Sequence, residues 1–304
     1  MTGDDGVSTD AMVLAAGLGT RLRPLTDLLP KPLVPIGDRP ALGHLVGALR
    51  EAGFARVVVN AHHLAPALAR YAEEEPLVAL SLEHELLGTA GGVRHARDGG
   101  LLRSDRLLVV NGDLFARLPV LELASASIAG VARLLVAPAR GAGNVGVDRS
   151  GRVVRLRQET VAPGESHAFD YLGCALLGPA SLAALPHAGC LVGDVLLPLL
   201  RAGAFVEVQV FEQPWLDVGG LGAYLEANRV WLLERGLERF VGEAVNVQDA
   251  TISGSVVGAR AELERGVHLD RCVVWPGARV PEGAHVTTIF APGIPPVDAA
   301  ALRP

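Results

Sequence analysis

Residues 13–40 read VLAAGLGTRLRPLTDLLPKPLVPIGDRP, and this stretch decides the fold. It continues a short apolar strand, predicted over 11–16, which breaks at Gly17 and Gly19. Glycines directly after a strand let the backbone come close to a ligand, and their N–H groups can bind phosphate oxygens. Basic residues follow in the same loop, between prolines. The stretch therefore predicts a nucleotide-phosphate site.

Two common phosphate-binding motifs do not describe this loop. A P-loop requires Gly-Lys-Ser or Gly-Lys-Thr after its glycines, and the loop has no such tripeptide. A dinucleotide fingerprint requires a third glycine, and Leu22 stands in its place.

The whole stretch resembles, without a gap, the signature of the sugar-1-phosphate nucleotidyltransferases, Leu-Ala-Ala-Gly-x-Gly-Thr-Arg-Leu-x-Pro-Leu-Thr followed by Pro-Lys-Pro-Leu. The resemblance implies an enzyme that uses an NTP, either GTP or UTP, and a sugar 1-phosphate, with Mg²⁺ as cofactor. It implies catalytic roles for Arg21 and Lys31. It also implies nucleotide binding by the start of the loop, at Leu14, Ala15, Ala16, Gly17, Gly19 and Thr20.

Lys31 is the only lysine in the sequence. Of the 27 basic residues, 26 are arginine, which leaves one (27 − 26 = 1). All the remaining basic positions are arginine, so a single lysine indicates a place where the compact charge of an ammonium group suits the chemistry, for example on a phosphate. The alternative is a lysine that stands in a surface loop by chance.

Composition limits the class of protein. A net charge of −6 argues against nucleic acid as the main partner. No run of residues approaches the ~18 to 20 apolar positions of a membrane span, and residues 1–10 lack the features of a secretory signal. Three scattered cysteines form no Cys-x-x-Cys motif and are expected to be reduced. We therefore expect a cytoplasmic protein that contacts neither a membrane nor nucleic acid.

Segments with helical and strand spacing alternate along the first half of the chain. Apolar strands between helices predict an α/β fold with a mostly parallel, mixed sheet, and the resemblance implies a Rossmann-like nucleotidyltransferase domain. Ligands of such sheets bind beyond the carboxyl ends of the strands, so functional loops should follow strands. The predicted helices are 41–52, 63–74 and 88–97, and the predicted strands are 56–60, 77–83, 107–110 and 128–136.

One loop of this kind contains Gly-Thr-Ala-Gly at 88–91. In the resembled family this turn lies against the nucleotide base, which implies nucleotide binding by Gly88 and Thr89. Thr89 also suits the start of a helix as a capping residue.

Two aspartates are candidate metal ligands. Asp113 follows a predicted strand in Asn-Gly-Asp, and Asp217 lies in Trp-Leu-Asp-Val-Gly. The resemblance implies that both bind Mg²⁺ and that Gly112 lies close to the nucleotide. Mg²⁺ prefers one or two protein carboxylates together with phosphate oxygens. Taken singly, each aspartate also suits a turn.

The segment between the two aspartates is expected to bind the sugar phosphate. Its pattern predicts a hairpin over 144–156. The resemblance implies sugar-phosphate binding by Gly146, Glu159 and Gly173. Two departures bear on the identity of the sugar, because Glu-Thr-Val at 159–161 replaces the family's Glu-Lys-Pro and Tyr-Leu-Gly at 171–173 replaces its Asn-x-Gly.

The character of the sequence changes near residue 245. Aliphatic residues recur every five or six positions from Val247 to Val286, and glycines fill the turns. This hexapeptide period predicts a parallel β-helix, which resembles the left-handed type and has too few coils to stand alone. It favours a homo-oligomer through the β-helix. The predicted divisions are a disordered tail 1–10, a catalytic domain 11–236, a linker 237–244, the β-helix 245–290 and a tail 291–304.

The predicted activity is Mg²⁺-dependent transfer of a nucleotidyl group from an NTP to a sugar 1-phosphate, which gives an NDP-sugar and pyrophosphate. Gly-Thr-Ala-Gly followed by a C-terminal hexapeptide segment is most similar to the mannose-1-phosphate guanylyltransferase branch. The alternatives are a uridylyltransferase acting on glucose 1-phosphate or an amino-sugar 1-phosphate, and a non-catalytic regulatory homologue.

Overall fold

The computed structural model describes residues 9–299. The chain forms two compact units. The first unit is the chain up to Gly17 together with Leu45–Trp215, and the second unit is Leu18–His44 together with the chain from Leu216 onward. The stretch 13–40 thus contributes its strand to the first unit and most of its loop to the second. Residues 1–8 of the predicted N-terminal tail and residues 300–304 of the predicted C-terminal tail lie outside the described residues.

The strands of the described residues, in chain order, are β1 (Thr9–Leu14), β2 (Pro35–Ile36), β3 (Arg39–Pro40), β4 (Val57–Ala61), β5 (Val78–Leu82), β6 (Arg106–Asn111), β7 (Leu114–Ala116), β8 (Ala132–Pro138), β9 (Val145–Val147), β10 (Val153–Leu156), β11 (Glu159–Thr160), β12 (His167–Leu177), β13 (Val206–Val210), β14 (Trp215–Asp217), β15 (Phe240–Val241), β16 (Thr251–Ser253), β17 (Val256–Val257), β18 (Glu262–Leu263), β19 (Val267–Asp270), β20 (Val273–Val274), β21 (Arg279–Val280), β22 (Gly283–Val286), β23 (Thr288–Phe290) and β24 (Val297–Asp298). The α-helices of the same residues are α1 (Ala41–Glu51), α2 (Ala65–Glu74), α3 (Gly88–Asp98), α4 (Val120–Ser125), α5 (Pro179–Ala183), α6 (Leu197–Arg201) and α7 (Leu221–Glu234). A π-helical turn, Leu191–Leu196, leads directly into α6.

The first unit contains a mixed sheet with a parallel centre. Strands β6, β1, β4 and β5 lie side by side in that order and run parallel. Strand β12 runs antiparallel to β6 and leads to β9, β10 and β11, while β8 pairs with both β12 and β13. The predicted α/β class with a mostly parallel central sheet is confirmed. Apolar side chains at the centres of β1, β4 and β6 are buried, as continuous Val and Leu runs require, whereas Leu82 of β5, the last strand of the parallel group, is 52% exposed.

Two predicted strands have different ends in the structure. The strand predicted over 11–16 stops at Leu14, because the Ala15 N–H donates to the Asn60 side chain instead of to a neighbouring strand. The strand predicted over 128–136 begins only at Ala132, because the N–H groups of the two residues at 129 and 130 donate to the Glu207 carboxylate. Both differences arise from side chains that replace a ladder hydrogen bond.

The second unit contains short parallel strands stacked in three sheets. The stacks are β15, β17, β20 and β23; β16, β19 and β22; and β18 and β21, with β24 added antiparallel to β23. Paired residues such as Val256 and Val273 are one repeat apart (273 − 256 = 17), which is one residue short of three full hexapeptides and agrees with the spacing of five or six residues in the sequence. The stacks include Phe240–Val241 from the predicted linker and Val297–Asp298 from the predicted tail.

The predicted apolar positions of the repeat are buried in its middle and exposed at its ends. Val257, Val274 and Val280 are at most 1% exposed, whereas Val247 is 39% and Val286 is 47% exposed. Among the described residues, Val247 precedes the first strand of its stack and Val286 lies in the last, so no adjacent strand covers either side chain. The aliphatic period of the sequence therefore extends to two positions that the stacked strands leave exposed. None of the helices in the described part of the chain is long and apolar enough to cross a membrane.

Candidate active site

The carboxyl ends of the four parallel strands lie at one edge of the first-unit sheet. Leu14 of β1 pairs with Asn111 of β6, and Ala61 of β4 pairs with Leu82 of β5. The loops that follow these strands therefore leave from the same edge. Three of these four loops carry residues that the sequence assigned to the nucleotide or the metal.

A buried hydrogen-bonded chain links the loop after β1 to the start of α3. The Ala15 N–H donates to Asn60 Oδ1 at 2.6 Å, and Asn60 Nδ2 donates to Glu83 Oε1 at 2.7 Å. Glu83 Oε2 accepts from the Leu87 N–H at 3.2 Å. Because the Ala15 N–H is already paired with Asn60, it is not available to a phosphate oxygen.

Asn60 and Glu83 were not among the residues predicted from the sequence. They are only 2% and 5% exposed, and polar side chains this buried are normally fixed by hydrogen bonds. Their position was the signal available in the sequence. Asn60 lies near the carboxyl end of one strand and Glu83 directly follows another, at the edge where ligands of such sheets bind. We interpret both as positioning residues for the two predicted nucleotide-binding loops.

The turn at Gly88 and Thr89 packs against the segment before α6. Gly88 has φ +76°, and a Cβ atom there would lie 2.5 Å from the Gly189 carbonyl oxygen. The Thr89 hydroxyl oxygen accepts from the Leu191 N–H at 2.7 Å. Glycine is therefore required at residue 88 both by its backbone conformation and by the close approach of a second chain segment.

The Asn-Gly-Asp loop after β6 lies beside the end of β1. The Gly112 N–H donates to the Leu14 carbonyl oxygen at 2.9 Å, and Asp113 is half-buried directly after it. Gly173 has φ +76° at a bulge of β12, where a Cβ atom would collide with the Asn111 amide. The glycine at residue 173 thus leaves room for the Asn111 side chain rather than for a ligand of its own.

A cavity of about 230 Å³ opens among these elements of the first unit, and we call it the first-unit cavity. Asparagine amides, the Arg157 guanidinium, hydroxyls and one thiol lie among its apolar walls, and no carboxylate does. Such a mixture of donors and acceptors suits a polyhydroxylated or anionic ligand. The lining residues are Leu14, Thr89, Val109, Asn111, Asn144, Leu156, Arg157, Tyr171, Cys190, Leu191 and Val192.

None of the three predicted sugar-binding residues lines this cavity, and two of them make other contacts as follows. Glu159 forms a two-pronged ion pair with Arg201, with both N–O distances at 2.6 Å, and this pairing lowers the pKa of its carboxyl. Gly146 lies within β9, where a Cβ atom would meet the Glu165 carboxylate. Neither residue is part of the cavity wall. Arg157, which sequence analysis did not select, lines the cavity instead.

Cys190 combines a cavity position with an altered acidity. Arg157 Nη2 donates to its sulfur at 2.8 Å, and the thiol lies directly before the turn that leads into α6. Burial by itself would raise the pKa of the Cys190 thiol. The backbone N–H groups of Gly193 and Val192, the Arg157 charge and the Thr89 hydroxyl outweigh it, so the pKa lies below its ordinary value.

The charged residues of the signature loop assemble within the second unit. Lys31 Nζ lies 3.7 Å from Asp217 Oδ1, and the lysine side chain is 12% exposed. A Cβ atom on Gly219 would lie 2.9 Å from both terminal nitrogens of Arg21, so this guanidinium rests directly on the glycine. Two predicted catalytic cations thus lie at the Trp-Leu-Asp-Val-Gly segment that carries one predicted metal ligand.

Gly19 brings the loop together around Lys31. It has φ +63°, and a Cβ atom there would lie 2.9 Å from Thr26 Cγ2 and 3.1 Å from Lys31 Cβ. The Thr26 hydroxyl donates to the Gly19 carbonyl oxygen at 2.9 Å. By contrast, nothing lies within 4 Å of a Cβ atom built on Gly17. The backbone at residue 17 is therefore open on that side, as the approach of a ligand requires.

Residues 10–158 match the nucleotidyl transferase family, which covers the signature loop, the Gly-Thr-Ala-Gly turn and Asp113. The chain is 29% identical over 91% of its length to "Probable mannose-1-phosphate guanylyltransferase 1" of Oryza sativa subsp. japonica, of which it covers 84%. Residues 10–158 therefore form a nucleotidyl transferase domain, and the chain is similar to sugar-1-phosphate nucleotidyltransferases over most of its length.

The sugar-1-phosphate nucleotidyltransferases that the chain resembles differ in the nucleobase and in the sugar of their substrates. The chain is 26% identical over 91% of its length to a UTP–glucose-1-phosphate uridylyltransferase of a Synechocystis species, of which it covers 81%. It also shares its fold with the crystal structure of HddC from Yersinia pseudotuberculosis complexed with GMP-PN. That match has 21% identity and a TM-score of 0.61, and it covers 73% of this chain and 99% of the other.

Divalent cations such as Mg²⁺ prefer hard oxygen donors, and carboxylates are donors of this kind. Asp113 and Asp217 present hard oxygen donors, and Mg²⁺ needs only one or two carboxylates when it also binds phosphates and water. Within residues 9–299, no group of three or more His, Cys, Asp or Glu residues is placed to hold a metal. A further cavity of about 730 Å³ in the second unit is lined by none of the predicted site residues.

Proposed function

We propose that the protein transfers a guanylyl group from GTP to mannose 1-phosphate, which gives GDP-mannose and pyrophosphate. The observation that carries the proposal is the Lys31–Asp217 pair, with Arg21 beside it, in a chain that matches a mannose-1-phosphate guanylyltransferase over 91% of its length. A uridylyl transfer from UTP to glucose 1-phosphate or an amino-sugar 1-phosphate is the second candidate, because the chain also matches a uridylyltransferase over nearly its full length.

The reaction is an in-line displacement at phosphorus. An oxygen of the sugar 1-phosphate attacks the α-phosphorus, the bond to the bridging α–β oxygen breaks, and pyrophosphate leaves with the electron pair. Little covalent help is needed, so the protein contributes positioning and charge neutralisation. We assign Arg21 to the leaving β- and γ-phosphates and Lys31 to the charge that develops around the α-phosphorus.

The cation belongs to the same proposal. We assign Mg²⁺ to Asp113 and Asp217, and when bound it would neutralise phosphate charge and orient the reacting oxygens. The side chains at the first-unit cavity then hold the sugar 1-phosphate. Asn111 and Asn144 offer amides to sugar hydroxyls, and Arg157 offers its guanidinium to an anionic group.

The fold supports finer assignments that also belong to this proposal. We infer that the stacked strands of the second unit form a left-handed β-helix and that it provides a contact for a homo-oligomer. The three cysteines are free, as expected for a cytoplasmic protein. Multi-angle light scattering on the purified protein tests the oligomer, and a uniform monomer would reject it.

The deciding experiment is a pyrophosphate-release assay across GTP, UTP and the other NTPs with a panel of sugar 1-phosphates. We expect the highest kcat/KM with GTP and mannose 1-phosphate. Lys31→Ala and Asp113→Asn should each lower turnover by ~10²- to 10³-fold, as loss of a preorganised charge contact does. Near-normal turnover in either variant would reject its assignment. A wild-type protein inactive with every pair would favour a non-catalytic regulatory homologue.

A further inference from the structure

A buried pair of aromatic residues connects the stacked strands to the loop that carries Lys31. Trp275 Nε1, directly after β20, donates to the Tyr224 hydroxyl oxygen at 2.9 Å. The Tyr224 hydroxyl in turn donates to the Pro35 carbonyl oxygen at 2.6 Å. Tyr224 is fully buried and Trp275 is 3% exposed. All three residues belong to the second unit.

The geometry uses both functions of the Tyr224 hydroxyl. Burial raises the pKa of this hydroxyl above its ordinary value, so it remains protonated and can always donate to Pro35. Its oxygen lone pairs are then available to the Trp275 indole N–H, which can only donate. A phenylalanine at either position would keep most of the packing; Trp275→Phe removes the bond to the Tyr224 hydroxyl, and Tyr224→Phe removes both bonds.

The strand at Pro35 is held at a second point on α7. The Gly37 N–H donates to Asn228 Oδ1 at 2.9 Å, and Asn228 Nδ2 donates to the Tyr224 carbonyl oxygen at 3.0 Å. Gly37 has φ +64°, and a Cβ atom there would collide with the Trp231 ring. The segment that follows Lys31 is thus fixed against one face of α7.

Little freedom remains between Pro35 and Lys31. The 3₁₀ turn Lys31–Leu33 begins four residues before Pro35, and the Val34 N–H donates to the Lys31 carbonyl oxygen at 3.2 Å. Prolines at 30, 32 and 35 fix φ at three positions of this short segment. A displacement of the Pro35 carbonyl is therefore transmitted to the backbone of Lys31.

Asp217 is tied to the same helix, since it lies four residues before the first residue of α7. We propose that Tyr224 and Trp275 are positioning residues that hold Lys31 against Asp217, so that the C-terminal strands set the geometry of the catalytic lysine. The catalytic part of this inference rests on the proposed function. Neither aromatic residue touches a reacting atom.

The first test observes Lys31 directly and does not depend on activity. Because Lys31 is the only lysine, full-length protein labelled with ¹³C-lysine gives one side-chain Cε–Hε signal. We expect Tyr224→Phe and Trp275→Phe each to shift or broaden this signal. The matched control is Val280→Ala, a buried substitution in β21, which should leave the signal in place. An unchanged signal in folded Tyr224→Phe and Trp275→Phe proteins would overturn the proposal.

The second test separates positioning from general destabilisation. Tyr224→Phe should lower kcat by about 10-fold, in line with the cost of a small misplacement, and change both KM values by less than about twofold. In a Lys31→Ala background the same substitution should have no further effect, because the group that it positions is gone. Equal losses in both backgrounds would overturn the proposal. If the wild-type protein were inactive with all substrates, the proposed function would fail while the lysine signal still decided the positioning.

Discussion

At the residue scale, Arg157 and Glu159 are two positions apart and differ in their surroundings. Arg157 lines the first-unit cavity, whereas Glu159 is paired with Arg201 outside it. We expect Arg157→Ala to raise KM for the sugar 1-phosphate by about 10-fold and to leave KM for the NTP unchanged, because a charge-assisted contact is lost. Glu159→Gln should change either KM by less than about twofold, since exposed ion pairs contribute little.

Steady-state kinetics with each substrate varied in turn distinguish the two residues. Glu159→Gln is the matched control because its side chain keeps its size and hydrogen-bonding capacity. A large rise in KM for the sugar 1-phosphate in Glu159→Gln, with none in Arg157→Ala, would show that the family's sugar-binding glutamate keeps its role here.

The chemistry of the three cysteines is expected to differ. The pKa of Cys190 is lowered, whereas burial raises the pKa of Cys174 to about 12 and also raises that of Cys272. Because the thiolate is the reactive form, iodoacetamide should modify Cys190 first. The rate of Cys190 alkylation should remain high at a pH where ordinary thiols react slowly. Mass spectrometry of the digested protein measures the labelling of each cysteine.

Arg157→Ala supplies the control for Cys190. Removal of the guanidinium should move the pH–rate profile of Cys190 labelling to higher pH, because the nearby positive charge favours the thiolate. Equal labelling of Cys190 and Cys174 in the folded protein, or a profile that Arg157→Ala leaves unchanged, would contradict the interpretation.

At the scale of elements, the Asn60 side chain joins the ends of three strands to the start of a helix. It accepts from the Ala15 N–H after β1 and donates to Glu83 after β5, and Glu83 accepts from Leu87 before α3. Asn60→Ala would leave a buried N–H and a buried carboxylate without this partner. We expect it to lower the free energy of unfolding by ~1 to 3 kcal/mol, the cost of an unsatisfied buried group.

Urea unfolding followed by circular dichroism measures this loss. Asn246→Ala is the comparison, because Asn246 is exposed and its side-chain oxygen accepts a local hydrogen bond from the Gln248 N–H. It should change the free energy of unfolding by less than ~0.5 kcal/mol. A loss in Asn60→Ala no larger than that of Asn246→Ala would show that the chain of hydrogen bonds does not hold the loops.

The elements were predictable where one local pattern determines them. Continuous apolar runs and helical spacing located β4, β5, β6 and the helices between them, because each pattern depends only on neighbours in sequence. Side chains that replace ladder hydrogen bonds were not predictable. Glu207 binds the N–H groups of residues 129 and 130 from about eighty positions away, and Asn60 binds Ala15 from 45 away.

The candidate site shows the same limit. The glycines and charges of the signature were found because the motif is contiguous, and the Lys31–Asp217 pair is present within one unit. Arg157 and Cys190 were not selected, because they become neighbours only when the hairpin β9–β10 and the turn before α6 fold together. The residue types at 157 and 190 alone do not predict that the two side chains are in contact.

At the scale of the whole molecule, the stretch 13–40 belongs to both compact units, with the division between Gly17 and Leu18. The segment that decides the fold of the first unit through β1 also supplies the lysine of the second. Substitutions in the stretch 13–40 should therefore affect stability and activity together. Conservative variants outside this stretch, such as Tyr224→Phe, are for that reason cleaner probes of function.

The stability of the whole protein should depend on pH through His44, at the start of α1. Burial lowers the pKa of its imidazole below the ordinary value of about 6.5, opposed in part by its hydrogen bond to the Ile36 carbonyl oxygen. Asp38 favours the charged ring, and the positive charges of Arg39 and Arg235 disfavour it. Below pH ~6.5 the unfolded chain binds a proton that the folded protein does not, so stability falls as the pH falls through this range.

Above that range both states carry a neutral ring and His44 contributes no pH dependence. Thermal unfolding between pH 5 and pH 7.5 should show Tm decreasing toward low pH, and His44→Gln, which keeps an N–H donor for Ile36, should flatten the decrease. His268→Gln, at an exposed histidine of β19, should retain the wild-type slope. If His44→Gln kept the full slope while His268→Gln lost it, the acid sensitivity of the fold would lie in the stacked strands and not at the start of α1.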